Sequence, residues 1–245
     1  MSVLFAEMVG TALLVLLGNG VVANVVLNKT KGHNGGWIVI TAGWGFAVMV
    51  AAYAVNSISG AHLNPAVTLG LLTIGKVTDP STIPQYFAGQ FLGGVLGGML
   101  VWLTYLPHWR VTEDGETKRA AFCTSPAIRH PLANLTTEVI GTFVLVLGIL
   151  AITSPANLQP GTGWEKSFAP FLVGMLVFSI GLSLGGPTGY AINPARDLGP
   201  RIAHFMLPIP GKASSDWGYA WVPVVGPLIG GVAAAMIYAA QWGSP

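Results

Sequence analysis

Between Val3 and Leu27 the chain places one charged residue, Glu7, in 25 positions. About 20 apolar residues of helix cross the hydrocarbon core of a bilayer. The stretch is too long for a signal peptide and lacks the basic start that one needs, so it reads as a first membrane helix. Five further runs qualify, at 37–57, 85–105, 132–152, 167–184 and 219–240. The run at 167–184 is short, and Gly181, Gly185 and Gly186 blur its end. Only 8% of the residues are charged, against about 25% in soluble domains. The chain is therefore an all-α membrane protein. Its net charge of +2 gives no reason to expect a nucleic-acid partner. The lone Cys123 allows no internal disulfide and reads as an incidental thiol in a polar loop.

Two polar interruptions break this pattern: "SGAHLNPAVTLG" at 59–70 and "GYAINPARDLGP" at 189–200. The segments that start at their Asn-Pro pairs, Asn64-Pro65-Ala66 and Asn193-Pro194-Ala195, are too short to cross a bilayer. Each suits a re-entrant half-helix, with Asn as the cap and Pro in the first turn, where its missing N–H costs nothing.

The halves also repeat. "AEMVGTALLVLLG" (6–18) aligns with "TEVIGTFVLVLGI" (137–149), pairing Glu7 with Glu138 and Thr11 with Thr142. Asn64 follows Glu7 by 57 residues, and Asn193 follows Glu138 by 55. "GQFLGG" (89–94) aligns with "GPLIGG" (226–231), and its small-xxx-small spacing lets helices approach closely. Each repeat holds three spans, an odd number, so the two copies have opposite orientations. Six transmembrane helices and two half-helices then form one inverted-repeat domain, with repeats at about 1–106 and 132–245 joined by loop 107–131. Non-helical backbone survives at membrane depth only where protein or a water-filled cavity surrounds it.

With both Asn-Pro-Ala motifs placed, the chain resembles the aquaporin / major intrinsic protein family along nearly its whole length, and within it the glycerol-facilitator branch. The resemblance implies a selectivity filter of Trp44, Gly181, Tyr190 and Arg196, carried over by spacing from the motifs. Gly181 stands where water-selective members carry a narrowing His. Asp197 after the Arg and Pro223-Val224 in the last span are further marks of the glycerol branch. Tyr190 departs from the Phe of the best-known bacterial glycerol facilitators and adds a hydroxyl.

The resemblance implies an amphipathic slot. Trp44 and Tyr190 form its apolar wall, and Gly181 leaves room for a carbon backbone. Arg196 donates N–H groups. The carbonyls of Gly60, Ala61, His62, Leu63, Gly189, Tyr190, Ala191 and Ile192 accept from solute hydroxyls, and the Asn64 and Asn193 amides donate at the midplane. Half-helix dipoles and Arg196 exclude protons and cations, the mechanism that the general account of aquaporin selectivity gives. Glu7 and Glu138 read as braces for the loops of their own halves, with a proton relay as the other reading of an intramembrane carboxylate. Asp197 reads as a brace for the Arg196 loop, and the ring of His62 faces the scaffold. Trp37, Trp217 and Trp221 read as interfacial anchors. The charges in "RVTEDGETKRAAF" read as a solvated loop.

The expected solutes are glycerol, water, other polyols, urea and undissociated lactic acid. Rival readings are a water-selective channel, a facilitator for another small neutral solute, a secondary transporter and a non-conducting junction protein. No metal cluster, nucleophile–base set or phosphate loop points to an enzyme or a cofactor. The resemblance implies a homotetramer in membrane lipid, with both termini cytoplasmic, and the short termini point to a bacterial plasma membrane. That orientation leaves only Lys76 and Lys166 inside, against the positive-inside rule.

Overall fold

The computed structural model describes residues 1–243, except for the side chains of Glu165 and Lys166. The inward placement expected for Lys166 thus lies outside the described residues. In chain order the helices are α1 (Val3–Val26), α2 (Trp37–Ser59), α3 (Pro65–Thr73), α4 (Ile83–Thr104), α5 (His108–Val111), α6 (Gly115–Ala120), α7 (Pro131–Ile152), α8 (Trp164–Ser167), α9 (Ala169–Leu184), α10 (Pro194–Met206) and α11 (Val222–Trp242). Among the described residues there is no strand.

Five of these, α1, α2, α4 with the turn before it, α7 and α11, are long and apolar enough to cross a membrane. The sixth span, α9, has 16 residues, about 24 Å of helix. It starts with Pro170 in its first turn and stops where Gly185 and Gly186 weaken helix propensity. Together with the half-helices α3 and α10, these six make the aquaporin-like fold expected from the sequence.

Glycine sets how the spans meet. The α2–α9 crossing falls at Gly45 and Gly174, and a Cβ on either would lie 2.7 Å from the other's carbonyl oxygen. Gly45 stands 19 residues before Asn64 and Gly174 stands 19 before Asn193, so the crossing lies at equivalent points of the two repeats. Each half-helix also packs on a span of the other repeat. Half-helix α10 lies on α4, where a Cβ on Gly94 would sit 3.1 Å from Gly199 Cα. Half-helix α3 lies on α11, where a Cβ on Gly231 would sit 2.7 Å from the Ala66 carbonyl. Backbone approach of this kind replaces the hydrophobic effect that lipid cannot supply between helices.

The segment 107–131 differs from its reading as a solvated loop. Trp109, Ala121 and Phe122 are buried with Ala23, Leu27, Val101 and Ile209, and Cys123, free of any disulfide, is buried beside them. Three of its charged side chains, Lys118, Arg119 and Asp114, find partners in the fold. Lys118 donates to the Pro210 carbonyl at 2.5 Å and Arg119 to the Ser214 carbonyl at 3.1 Å. Asp114 caps α6, and the Thr117 hydroxyl with the N–H groups of Thr117 and Glu116 holds its carboxyl below the usual range. Apolar residues interspersed among the charges drive the burial, which composition alone hides. Trp37, Trp217 and Trp221 stay part-exposed near helix ends.

Overpacking a close helix crossing costs about 1–3 kcal/mol. Gly174→Val is therefore expected to lower the thermal unfolding midpoint of the detergent-solubilised protein by several degrees, and unchanged melting would contradict the Gly45–Gly174 contact.

Candidate functional site

The two loops that lead into α3 and α10 have matching conformations. Gly60, Ala61 and Leu63 have φ of 78°, 51° and 53°, and Gly189, Tyr190 and Ile192 have 80°, 38° and 45°. Four of these six are not glycine, and such residues in the left-handed region cost of order 1–3 kcal/mol each unless their surroundings hold them there. Buried carboxylates provide that hold. Glu7 accepts from Ser59 Oγ (2.6 Å), His62 N (3.0 Å), Leu63 N (2.7 Å) and Gln90 Nε2 (2.8 Å). Glu138 accepts from Thr188 Oγ1 (2.7 Å), Ala191 N (3.0 Å) and Ile192 N (2.8 Å). Ser59 and Thr188 occupy equivalent positions, five residues before Asn64 and Asn193.

This arrangement aims the carbonyls. In a trans peptide the N–H and the preceding C=O point in opposite directions. Because the N–H groups of His62 and Leu63 face Glu7, the carbonyls of Ala61 and His62 face away from it, toward the cavity those residues line. The Ala61 N–H is taken up by Ser59 Oγ at 3.1 Å, which turns the Gly60 carbonyl the same way. The same reasoning turns the Tyr190 and Ala191 carbonyls away from Glu138. Leu63 and Ile192 differ. Their carbonyls accept from Asn193 Nδ2 (2.7 Å) and Asn64 Nδ2 (2.8 Å), tying each loop to the cap of the opposite half-helix. Gly189 lines the second cavity described below, not the first.

Each asparagine is thus used twice. Asn64 Oδ1 accepts from Ala66 N, and Asn193 Oδ1 from Ala195 N and Arg196 N, which caps both half-helices. One amide hydrogen of each goes to the reciprocal tie, and two hydrogens per amide leave one over. Both asparagines border the cavity, and the N-termini of α3 and α10 meet there.

Trp44, Tyr190 and Arg196 lie between two cavities of about 190 Å³ each, one lined by Asn64, Asn193 and His62, the other by Cys123, Thr124 and Gly189. All three residues line both. The Arg196 guanidinium lies over the Trp44 ring, 3.9 Å from its centre. Its N–H groups make no hydrogen bond to protein among the described residues. Gly181 does not reach either lumen. The space in front of it holds Tyr190, whose Cζ and Oη would lie 2.8 and 3.0 Å from a Cβ on Gly181. Gly181 therefore makes room for the tyrosine ring. Tyr190 Oη and Trp44 Nε1 are buried without a hydrogen-bond partner among the described residues. The His62 ring stacks on Tyr86 at 4.2 Å and meets Thr68 Oγ1 at 3.1 Å, while the residue still borders the cavity.

Asp197 is turned outward to the 107–131 segment. It accepts from Thr124 N (2.7 Å) and Oγ1 (2.6 Å) and pairs with Arg201 at 2.8 Å, all fully buried or nearly so. Arg201 also donates to the carbonyls of Thr124 (2.9 Å) and Ser215 (2.7 Å). With Arg201, Asp197 thus ties α10 to the 107–131 segment and to the loop at 207–221.

Residues 1–238 match the family described as MIP: Major intrinsic protein. The chain belongs to the major intrinsic protein family. It is 60% identical over 238 residues to a Thermotoga maritima protein named "Probable glycerol uptake facilitator protein", covering 97% of this chain and 98% of that one. It is 52% identical to the "Glycerol uptake facilitator protein" of Bacillus subtilis, covering 99% and 85%. The solved aquaglyceroporin of Plasmodium falciparum superposes with a TM-score of 0.83 at 34% identity, covering 96% of this chain and 93% of that one.

In this major intrinsic protein the sequence reading missed Gln90, Ser59, Thr188, Thr124 and Arg201. Ser59 and Thr188 carried a signal, a hydroxyl at the same offset in both repeats. Gln90 carried none, since Pro227 occupies its place in the second repeat. Removing one partner of a buried ion pair costs about 3–5 kcal/mol, whereas removing both costs less. Asp197→Ala should therefore destabilise the protein more than Asp197→Ala/Arg201→Leu, as read from thermal melts in detergent; equal losses would mean that the pair is not the source.

Proposed function

We propose that this chain is a passive channel for glycerol and other small neutral solutes, with some water permeability, and that it excludes protons and ions. The observation that carries the reading is the constriction: a guanidinium with unengaged donors beside the apolar faces of Trp44 and Tyr190, continued by the cavity-facing carbonyls of 60–62 and 190–191. A polyol has hydroxyls along one edge and C–H along the other, and it matches such a surface in both respects. The names of the two bacterial relatives support the same solute.

In this reading Trp44, Gly181, Tyr190 and Arg196 form the selectivity filter, and Gly181 acts by accommodating Tyr190. The spare N–H of Asn64 and of Asn193 holds the solute oxygen at the centre. Glu7 and Glu138 brace the loops; four donors on Glu7 fill the roughly four lone-pair sites of a carboxylate, which favours a brace over a relay. Positive half-helix termini and Arg196 repel cations. One channel domain comprises both repeats, about 1–106 and 132–245, and the folded segment 107–131 shapes its outer mouth. The assembly is a homotetramer, each subunit with its own pore, in a bacterial plasma membrane with both termini cytoplasmic.

The test is light scattering of proteoliposomes after an osmotic jump, with glycerol and then with an impermeant sugar. The wild type should re-swell quickly in glycerol, with flux linear in concentration and unaffected by uncouplers. Gly181→His displaces Tyr190 into the lumen and should abolish glycerol flux while water still passes. Fast water flow without glycerol flow in the wild type would replace the reading with that of a water channel.

A further inference from the structure

We infer that Gly18 of α1 is a specificity-determining position, because it forms the seat against which the Trp44 ring rests and so sets the width of the constriction. The inference rests on the channel reading above. A Cβ on Gly18 would lie 2.6 Å from Trp44 Cη2 and closer still to Cζ3 and Cε3. Carbon atoms in contact sit about 3.5–4.0 Å apart, so any side chain at position 18 displaces that ring by about 1 Å or more.

The neighbouring helices leave little room for the backbone to give. Helix α1 is packed closely on α4: a Cβ on Gly97 would lie 2.6 Å from Val15 Cβ and 2.8 Å from the Ala12 carbonyl. Helix α2 is held at backbone contact with α9 through Gly45. The open space that the ring borders is the two cavities it lines, so a displaced ring enters the lumen, where the Arg196 guanidinium is stacked 3.9 Å from its centre. Gly18 touches no solute. It is a positioning residue that acts through Trp44, as Gly181 acts through Tyr190, so both aromatic walls are seated on glycines of neighbouring helices. Gly20, two residues along α1, meets no neighbour beyond its own stretch of helix within 4 Å of its Cβ position among the described residues, and has no such role.

The experiment is a double-mutant cycle of Gly18→Ala and Trp44→Phe in proteoliposomes, with glycerol and water permeability read in the same vesicles and Gly20→Ala as the control. One methylene-sized change in a pocket shifts discrimination by roughly 10–200-fold. Gly18→Ala should lower the glycerol-to-water permeability ratio about tenfold. It should have little effect on that ratio once Trp44→Phe has removed the part of the ring it strikes, and Gly20→Ala should match wild type. An unchanged ratio in Gly18→Ala, or an equal loss in the Trp44→Phe background, would overturn the inference. If Gly18→Ala alone fails to fold, recovery in the double variant still supports the seat, and failure of both overturns it. A wild type that passes water but no glycerol would sink the solute assignment alone. Gly18 is then judged on water permeability, which the alanine lowers and the double variant recovers.

Discussion

The hydrogen bonds from loop N–H groups to Glu7 and Glu138 come first in the logic of the structure. A bilayer interior offers no water to satisfy irregular backbone, and the two loops combine that problem with residues in left-handed conformations. A single carboxylate in each half resolves both, because its oxygens collect successive N–H groups on one side and leave the carbonyls on the other. The line of acceptors along the cavity is thus a consequence of where the donors are anchored. Without the carboxylates, the loops have no reason to keep a conformation that places two non-glycine residues per repeat at positive φ.

Much of this was legible in the sequence because it is written twice. Glu7 and Glu138, the Asn-Pro-Ala motifs and the paired glycines occur at matched spacings, and a feature repeated in both halves stands out from an apolar background. Ser59 and Thr188 escaped although they recur, because a lone hydroxyl is an ordinary residue, and the rest of what escaped occurs once. Gln90 has a proline as its counterpart, and Arg201 and Thr124 have no equivalents in the first repeat's network. The 107–131 segment was misjudged because its charges are spaced among apolar residues, and only the fold shows that Lys118 and Arg119 spend their donors on carbonyls of the 207–221 loop. That Tyr190 fills the space beside Gly181 was not legible, since which side chain occupies the room beside a glycine depends on packing across helices.

The two ends of the constriction are built on different principles. On the side of the Asn-Pro-Ala motifs, repeated elements related by the inverted symmetry supply caps, braces and carbonyls. On the side of the 107–131 segment, the arrangement is particular to the second half: Arg196 and Asp197 sit next to each other, one facing the lumen and the other committed to Arg201 and Thr124. Five positions along α10 thus separate a guanidinium without a protein hydrogen bond among the described residues from one fully spent on structure. Burying Arg201 with its pair keeps a second cation out of the path.

The reciprocal ties from Asn64 to the Ile192 carbonyl and from Asn193 to the Leu63 carbonyl join residues 128 and 130 positions apart. During synthesis, the first half enters the bilayer with its half-helix cap facing a partner that has not yet been made. The left-handed loop at 60–63 can draw on Glu7 at that stage, yet its last carbonyl and the amide of Asn64 stay unmatched until the chain has grown past Asn193. The two ties can form only once both halves are present, and neither repeat holds a finished half-pore by itself.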